Sequence, residues 1–360
     1  MDKEKISFLL KKFNMNSKSL EKIKVTTKKD LQEFGIENCP EKPVLIASTS
    51  GTTEKPTIIG HSRQSEQMLL KKYEYIRDNM LELSKTPVTC NLLEFFETFQ
   101  RPLGFCSLIS PNNNIDEEEI NYICQKIFAS KAEFLLCSGH LLPKLLTKLK
   151  KLGHVPQNLI YTGVMVNQIL EKELISEIKN PIELYATHEM PAIAMRRYPE
   201  DYKVLFPDEC CLEILNKDEK IKDKGEGILL ITDYNNLSYP IIRFYTGDYV
   251  KLWKENKNIF LKIISRVGTY IKINGDLVNK NEITNIIDKY EDVYLIEVKQ
   301  KNMKDYFKVK LKDLNNKKEI ENALLESFGL ELEFRLLEKP LLSRTNKIIK
   351  ILDSRQASTG

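Results

Sequence analysis

The first half of the chain alternates between two kinds of hydrophobic pattern. Short continuous apolar runs at 43–47, 133–137 and 158–161 predict buried strands, whereas apolar residues at helical spacing in 64–84 and 117–128 predict amphipathic helices. The strands and helices alternate at lengths that are typical of layered α/β proteins. We therefore expect a large α/β domain with layered sheets in this part of the chain.

The second half of the chain is richer in strand patterns. From residue 203 onward, β-branched and aromatic runs predict strands, among them a hairpin whose turn lies at 256–258. After Gly268 the pattern changes to strands mixed with two helices. Because 360 residues exceed what one compact core usually holds, we predict two domains: a large N-terminal α/β domain at 1–267 and a small, mobile C-terminal α+β lid domain at 268–360.

Composition and charge argue against several classes of protein. The net charge is only +4, and the many lysines are balanced by acidic residues, so we expect no basic stripe for nucleic acid. No apolar run approaches the roughly 20 residues of a membrane span, and the N-terminus lacks the apolar core of a signal peptide. An odd number of cysteines without a paired spacing predicts reduced thiols in a cytoplasmic protein.

One polar loop is the first candidate for chemistry. Gly51 allows successive backbone amides to converge on one point, and Lys55 adds a positive charge. The hydroxyl groups of the loop add further donors, so the pattern predicts a triphosphate-binding loop. The alternative is a solvated turn, and the loop lacks the Gly-Lys-Ser/Thr ending of the P-loop. Its residues are Ser48, Thr49, Ser50, Gly51, Thr52, Thr53, Glu54 and Lys55.

Four further segments accompany this loop along the chain. They are Tyr185-Ala186-Thr187-His188-Glu189, Gly225-Glu226-Gly227, Arg243-Phe244-Tyr245-Thr246-Gly247-Asp248, and Arg266 with Lys272 and Gly275. Together with the loop, and in this order, they resemble the adenylate-forming enzymes of the acyl-CoA synthetase, or AMP-binding, superfamily. Segments 25–31 and 240–248 are most similar to the phenylacetate–CoA ligase branch. The resemblance spans most of the chain.

The resemblance implies an activity and its cofactors. Enzymes of this superfamily use ATP and Mg²⁺ to activate a carboxylic acid as an acyl-adenylate, and then transfer the acyl group to the thiol of coenzyme A or of carrier-protein phosphopantetheine. For this chain it implies a small carboxylic acid as substrate, with an acyl carrier protein as the alternative acceptor and with no nucleic-acid or membrane partner. An apolar acid, aromatic or short acyl, is favoured by Phe95, Phe96, Phe99 and Phe105.

The same resemblance assigns roles to individual residues. Glu189 would bind Mg²⁺, and Asp248 would accept hydrogen bonds from both ribose hydroxyls. Arg266 would lie near the ribose or the phosphates, and Tyr185 would pack on the adenine with Ala186 beside it. The alternatives are a surface carboxylate, a turn residue, an interdomain ion pair and a core aromatic, respectively. The phosphates would be held by Ser48, Thr49, Ser50, Gly51, Thr52, Thr53 and Lys55.

Two further residues are catalytic candidates by resemblance. The tail 344–355 is similar to the closing motif of the superfamily and places Lys347 at the position of the catalytic lysine, which would stabilise charge developing near the α-phosphate. Lys350 is the alternative lysine. His188 would hydrogen-bond the α-phosphate, line the acyl pocket or only pack.

The sequence also departs from the pattern of the superfamily. Glu54 replaces a glycine of the phosphate loop, His188 replaces a threonine or serine, and Asn346 replaces the glycine before the catalytic lysine. These departures keep two alternatives open. One is an acyl-protein synthetase that passes the acyl group to a protein nucleophile, and the other is a nucleotide-binding pseudoenzyme.

Overall fold

The computed structural model describes residues 2–15, 17, 19–48, 57–85, 87–92, 105–109, 117–163, 168–266, 270–273, 276–291, 293–301, 304–341 and 350–353. These residues form two compact units, the first ending at Ile264 and the second beginning at Ser265. The assignment of 1–267 as an adenylation domain and of 268–360 as a lid domain stays a prediction.

The helices of the first unit follow the predicted amphipathic segments. Thr27 caps the second helix as the sequence predicts, because its hydroxyl accepts a hydrogen bond from the Asp30 amide while the Asp30 carboxylate accepts one from the Thr27 amide. Gly153 ends the fifth helix with a left-handed φ of 76°. The helices are α1 (Lys3–Lys12), α2 (Lys28–Phe34), α3 (Arg63–Met80), α4 (Glu117–Ser130), α5 (Leu142–Leu152) and α6 (Gln168–Glu177).

The strands of the first unit form one hairpin and one large sheet. The hairpin pairs β1 (Leu45–Ser48) with β2 (Ile58–His61) in antiparallel register. The strands of the sheet are β3 (Val88–Asn91), β4 (Phe105–Ile109), β5 (Phe134–Ser138), β6 (Asn158–Thr162), β7 (Asn180–Tyr185), β8 (Ala194–Arg197), β9 (Tyr202–Val204), β10 (Cys210–Leu215), β11 (Ile221–Lys222), β12 (Gly225–Asp233), β13 (Phe244–Glu255) and β14 (Asn258–Arg266). Their order is β11-β10-β12-β13-β14-β9-β8-β7-β6-β5-β3-β4.

Helices cover both faces of the parallel part of this sheet. Strands β4, β3, β5, β6 and β7 are parallel neighbours. Leu135 and Leu159 pack with residues of α4, α5 and α6 on one face, whereas Phe134 and Ile160 pack with α3 on the other. Because successive side chains of a strand point to opposite faces, a strand covered on both sides reads as a continuous apolar run. The predicted α/β layering is confirmed.

The second unit is a small α+β fold, as predicted. Its larger sheet has the order β19-β18-β17-β20, and α7 and α8 pack on it through Ile283, Ile287, Ile320 and Leu324. Ser265 and Arg266 at the end of β14 belong to this unit. Its elements are β15 (Tyr270–Ile273), β16 (Asp276–Asn279), α7 (Lys280–Ile287), β17 (Tyr294–Lys301), β18 (Lys304–Leu311), α8 (Lys317–Phe328), β19 (Glu331–Leu336) and β20 (Ile351–Asp353).

The predicted hairpin at 256–258 is confirmed. Strands β13 and β14 are neighbours, and Asn256 and Lys257 between them have φ values of 47° and 69°. Two consecutive residues with positive φ are typical of the turn that joins tightly paired antiparallel strands. Across the part of the chain that is described, no helix is long and apolar enough to cross a membrane.

Candidate active site

Tyr185 and Asp248 contact each other directly. Tyr185 is the last residue of β7 and Asp248 lies in β13, and the tyrosine hydroxyl donates a hydrogen bond of 2.7 Å to Oδ2 of the aspartate. Both residues are buried. Since β14, β9 and β8 separate the two strands in the sheet order, the sheet must coil strongly to bring them together. An aromatic ring and a carboxylate assigned to adenine and ribose therefore lie side by side.

A bulge in β13 sets the direction of Asp248. Ile228 pairs with Tyr249 and Leu230 pairs with Tyr245, so three residues of β13 face the single residue between them on β12. Gly247, inside the bulge, has a φ of 79° that favours glycine. The Asp248 amide donates to the Thr246 hydroxyl, which in turn donates to the Leu229 carbonyl. The Thr-Gly-Asp motif thus folds into a fixed local structure.

Arg243 of the same motif has a structural role. It is buried, and its guanidinium makes two hydrogen bonds, of 2.9 and 2.7 Å, to the buried carboxylate of Glu213 on β10. It also donates to the Ile23 carbonyl at 3.0 Å. A bidentate arginine–carboxylate pair is a strong, geometrically specific contact. Arg243 therefore links β10 to the N-terminal segment.

The N-terminal segment also joins β13 through its backbone. The amide of Thr26 donates to the Arg243 carbonyl at 3.0 Å, and the Tyr245 amide donates to the Thr26 carbonyl at 2.9 Å. The Thr26 hydroxyl donates to the Ile242 carbonyl at 2.7 Å. These contacts form a parallel bridge between Thr26 and Phe244. Two segments that carry the sequence resemblance, 25–31 and 240–248, are thus neighbours in space.

The loop that follows Tyr185 is closed by its own hydrogen bonds. Thr187 and Met190 bond twice, from the Thr187 amide to the Met190 carbonyl at 3.2 Å and from the Met190 amide to the Thr187 hydroxyl at 3.0 Å. The Ile193 amide donates to the Tyr185 carbonyl at 2.9 Å. Within this loop His188 is exposed, whereas Glu189 is 6% exposed and Ala186 is half-buried. Glu189 is therefore not the surface carboxylate of the alternative interpretation.

His61 contacts this loop from the hairpin. Its Nε2 lies 3.0 Å from the backbone carbonyl of His188, and its ring is buried. Burial lowers the pKa of His61 to about 4, so the ring is neutral at pH 7. No sequence pattern distinguishes His61 from the other histidines, because its partner is a backbone atom 127 residues away.

The hairpin frames the predicted phosphate loop. Ser48 ends β1, is exposed and pairs with Ile58, the first residue of β2. The loop residues Thr49, Ser50, Gly51, Thr52, Thr53 and Lys55 lie outside the described residues, and so does Lys347. The structure thus confirms the predicted strands on both sides of these residues, while the roles of the residues stay predictions.

The remaining two candidates belong to the second unit. Arg266 is the exposed last residue of β14. The ammonium of Lys350 pairs with Asp288 at 2.6 Å and lies 4.9 Å from the centre of the Tyr294 ring. Lys350 is therefore engaged within its own unit.

Solved structures share this fold. A 2-hydroxyisobutyryl-CoA ligase in the postadenylation state with 2-HIB-AMP has a TM-score of 0.69 at 13% identity, over 97% of this chain and 86% of the ligase. The o-succinylbenzoate coenzyme A synthetase MenE from Bacillus subtilis, with AMP, has 0.62 at 15% identity, over 84% and 67%. ATP-bound MatB from Rhodopseudomonas palustris has 0.60 at 16% identity, over 87% and 67%. This chain has the fold of the adenylate-forming enzymes.

The fold that the sequence motifs predicted is thus confirmed. No protein-family model and no curated protein sequence matches the chain. At these identities the shared property is the fold itself, and a site must be argued from this chain's own residues. Among the described residues, Tyr185, Asp248 and Glu189 belong to the segments that carry the sequence resemblance.

The donor set of the site fits Mg²⁺. Glu189 offers a buried carboxylate, which is the kind of hard oxygen group that this ion prefers. Mg²⁺ is usually held by one or two carboxylates together with substrate phosphates and waters, and not by an all-protein cage. A single buried carboxylate such as that of Glu189 is therefore compatible with this ion when a triphosphate and waters supply the other oxygen ligands.

Sequence reasoning missed a polar cluster that supports Tyr185. The Tyr185 ring contacts the ring of Tyr202 edge-on at 6.2 Å, and the Arg196 guanidinium lies 5.0 Å from the centre of the Tyr202 ring. The buried carboxylate of Glu183 accepts hydrogen bonds from Arg196 at 2.7 Å and from Tyr198 at 2.7 Å. A charged residue between Ile182 and Leu184, in an apolar strand, was the only signal in the sequence.

Proposed function

We propose that this protein activates a small carboxylic acid with ATP and Mg²⁺, forming an acyl-adenylate and pyrophosphate. The observation that carries the proposal is the hydrogen bond between Tyr185 and Asp248. It holds a flat aromatic surface next to a carboxylate with two acceptor oxygens, which suits an adenine and a ribose diol on one ligand. The adenylate-forming fold supports the same conclusion.

Each residue of the site has a part in the proposed reaction. Asp248 accepts hydrogen bonds from the ribose hydroxyls, and its fixed orientation keeps the nucleoside in one position. The loop of residues 48–55 holds the phosphates, and Arg266 contributes positive charge. When bound at Glu189, Mg²⁺ neutralises phosphate charge. Lys347 stabilises the charge that develops as the acid attacks the α-phosphorus. Such a protein contributes mainly positioning and electrostatic stabilisation.

Lys347 is preferred to Lys350 for this role. The ion pair of Lys350 with Asp288 and its contact with the Tyr294 ring give that lysine a structural partner in the second unit. Lys347 also matches the closing motif at the lysine position. The prediction is that Lys347→Ala abolishes adenylation, whereas Lys350→Ala lowers its rate only slightly.

We propose a thiol as the second acceptor, in coenzyme A or in the phosphopantetheine of a carrier protein. Self-acylation of a cysteine, which is one route open to the acyl-protein synthetase alternative, is disfavoured at buried thiols. Burial raises the pKa of Cys90 and of Cys210 to about 12 and that of Cys211 to about 11. These groups are therefore thiols, not nucleophilic thiolates, at neutral pH. We also propose a cytoplasmic location, because free thiols stay reduced in that compartment.

ATP–pyrophosphate exchange tests the proposal. The purified protein is incubated with ATP, Mg²⁺, labelled pyrophosphate and one acid from a panel of aromatic, short acyl and 2-hydroxy acids. Acid-dependent label in ATP is the expected result, and Lys347→Ala should abolish it. ATP binding without exchange with any acid would instead identify a nucleotide-binding pseudoenzyme. With coenzyme A added, formation of an acyl-coenzyme A thioester would identify coenzyme A, and not a carrier protein, as the acceptor.

A further inference from the structure

The imidazole of His61 connects two segments whose proposed roles in ATP binding are separate. His61 ends β2, the return strand of the hairpin that frames residues 49–56. Its partner, the His188 carbonyl, immediately precedes Glu189 in the loop after Tyr185. The contact of 3.0 Å therefore joins the phosphate-loop hairpin to the loop of the proposed metal ligand.

The chemistry of the partner fixes the direction of this hydrogen bond. A carbonyl oxygen only accepts, so Nε2 of His61 must carry the hydrogen and donate it. The His188 side chain is exposed, whereas His61 is 1% exposed. At this contact the loop thus presents a backbone group to the interior, and His61 satisfies that group.

Several other described hydrogen bonds of the loop are local to it. The bonds between Thr187 and Met190 close a tight turn, and the bond from Ile193 to Tyr185 closes its base. All of these bonds lie within segment 185–193. The bond from His61 ties the middle of the turn, beside Glu189, to a distant element of the first unit.

We infer that His61 is a positioning residue that holds the Glu189 carboxylate in register with the phosphate-loop hairpin. It touches neither substrate nor metal, and it acts through the His188–Glu189 peptide. The inference rests on the proposed function, in which both segments contact the same Mg²⁺-bound triphosphate. It assigns a role to a histidine that no motif contains.

Two substitutions of His61 test the hydrogen-bond donor and the volume of the side chain separately. His61→Gln keeps an N–H donor at a similar reach, and His61→Leu fills a similar volume without a donor. His154→Leu is a matched control, because Nε2 of His154 contacts the Ala132 carbonyl at 2.9 Å in a different part of the first unit. Urea unfolding of each variant shows that it is folded under the conditions of the tests.

Hydrogen exchange in the nucleotide-free protein tests the tether itself. In His61→Leu, the Thr187 and Met190 amides should exchange about tenfold faster, as expected when one net hydrogen bond of local stability is lost. In His61→Gln and His154→Leu they should stay within about threefold of the wild type. Unchanged exchange of these amides in His61→Leu would overturn the inference without touching the proposed function.

Calorimetric titration with ATP, in Mg²⁺ and in EDTA, tests the consequence. His61→Leu should raise the Kd in Mg²⁺ about tenfold, and the Kd in EDTA by less than about threefold, because only the metal-dependent part of the affinity needs Glu189 in place. His61→Gln should restore most of the Mg²⁺ effect. An equal loss with and without Mg²⁺, or no loss, would overturn the positioning role. A wild-type protein that binds no ATP at all refutes the proposed function, and the metal-positioning role with it.

Discussion

Asp248→Asn should weaken nucleotide binding strongly while leaving the fold intact. Asparagine has nearly the same shape and keeps an oxygen that can accept the hydrogen bond that Tyr185 now donates to Oδ2 at 2.7 Å. Hydrogen bonds to charged groups contribute about 1.5–3 kcal/mol and neutral ones about 0.5–1.5 kcal/mol. The change from a charged to a neutral acceptor therefore costs the folded protein about 1 kcal/mol.

The loss in ATP affinity should exceed the loss in folding stability, because the substitution changes both hydrogen bonds to the ribose hydroxyls. Both ribose hydroxyls would donate to the carboxylate of the wild type, whereas the amide of asparagine offers one oxygen and one donor. Weakening one bond and losing the other corresponds to about 2–3 kcal/mol, which is about 30- to 160-fold in Kd. The same substitution should also abolish most of the preference for ATP over 2′-deoxy-ATP, since that preference requires the acceptor.

Calorimetry with ATP and with 2′-deoxy-ATP measures both effects. Asp305→Asn is the matched control, because Asp305 is an equally buried aspartate, 6% against 7% exposed, in β18 of the second unit. Its Oδ1 also accepts a side-chain hydrogen bond, from Gln300 at 3.3 Å. A folded Asp248→Asn protein that binds ATP within twofold of the wild type would refute the assignment of Asp248 to the ribose.

Three further predictions concern the stability of the first unit. Arg243→Met should lower the free energy of unfolding by about 3–5 kcal/mol because it leaves the Glu213 carboxylate buried without its partner, and adding Glu213→Leu should recover most of that loss; equal urea midpoints for the single and double variants would contradict this. Thr27→Ala should cost about 1 kcal/mol in the same assay through loss of the capping box, with Thr27→Ser close to the wild type. The pKa of His61 falls from 6.5 to about 4 on folding, so the unfolded chain binds that proton more tightly than the folded chain. Above pH 6.5 the titration of His61 should therefore not lower the free energy of unfolding, whereas this free energy should fall by up to about 3 kcal/mol as the pH decreases towards 4. His61→Gln removes this part of the pH dependence, and a profile identical to that of the wild type would show that His61 does not contribute it.

The sequence predicted those parts of the fold in which local pattern and burial agree. The apolar run before Ser48 and the β-branched residues after the loop predicted a hairpin, because the residues within each strand are enough to indicate a strand. The parallel strands were equally clear, since strands covered on both faces are apolar throughout. Thr27 was identified as a helix cap because its partner, Asp30, is only three residues away.

Elements that depend on distant neighbours were not predictable in this way. Strands β8 and β9 are only four and three residues long and include Arg196, Arg197 and Lys203, so their pattern does not distinguish them from loops. They form strands because β7 and β14 provide hydrogen-bonding partners on either side. Strand β20 depends in the same way on its parallel neighbour β17.

The residues of the candidate site also divide into those that lie in local motifs and those that depend on contacts with distant segments. Tyr185, Glu189 and Asp248 could be predicted as site residues because they lie in short motifs whose residues are consecutive in the sequence. His61 and Glu183 were missed because each acts through contacts with other segments: His61 with a backbone carbonyl, and Glu183 with the side chains of Tyr161, Tyr198 and Arg196. A single sequence contains the motifs, but the contacts that orient them appear only when the chain is folded.

The bridge between Thr26 and β13 has a consequence for how this protein can be shortened. A fragment that starts at the hairpin would expose the Arg243 carbonyl and the Tyr245 amide, three to five residues before Asp248. It would also deprive the Arg243 guanidinium of the Ile23 carbonyl. The segment from Ile23 to Thr26 thus braces the strand that carries Asp248. Affinity tags and truncations on the N-terminal side should therefore leave this segment whole.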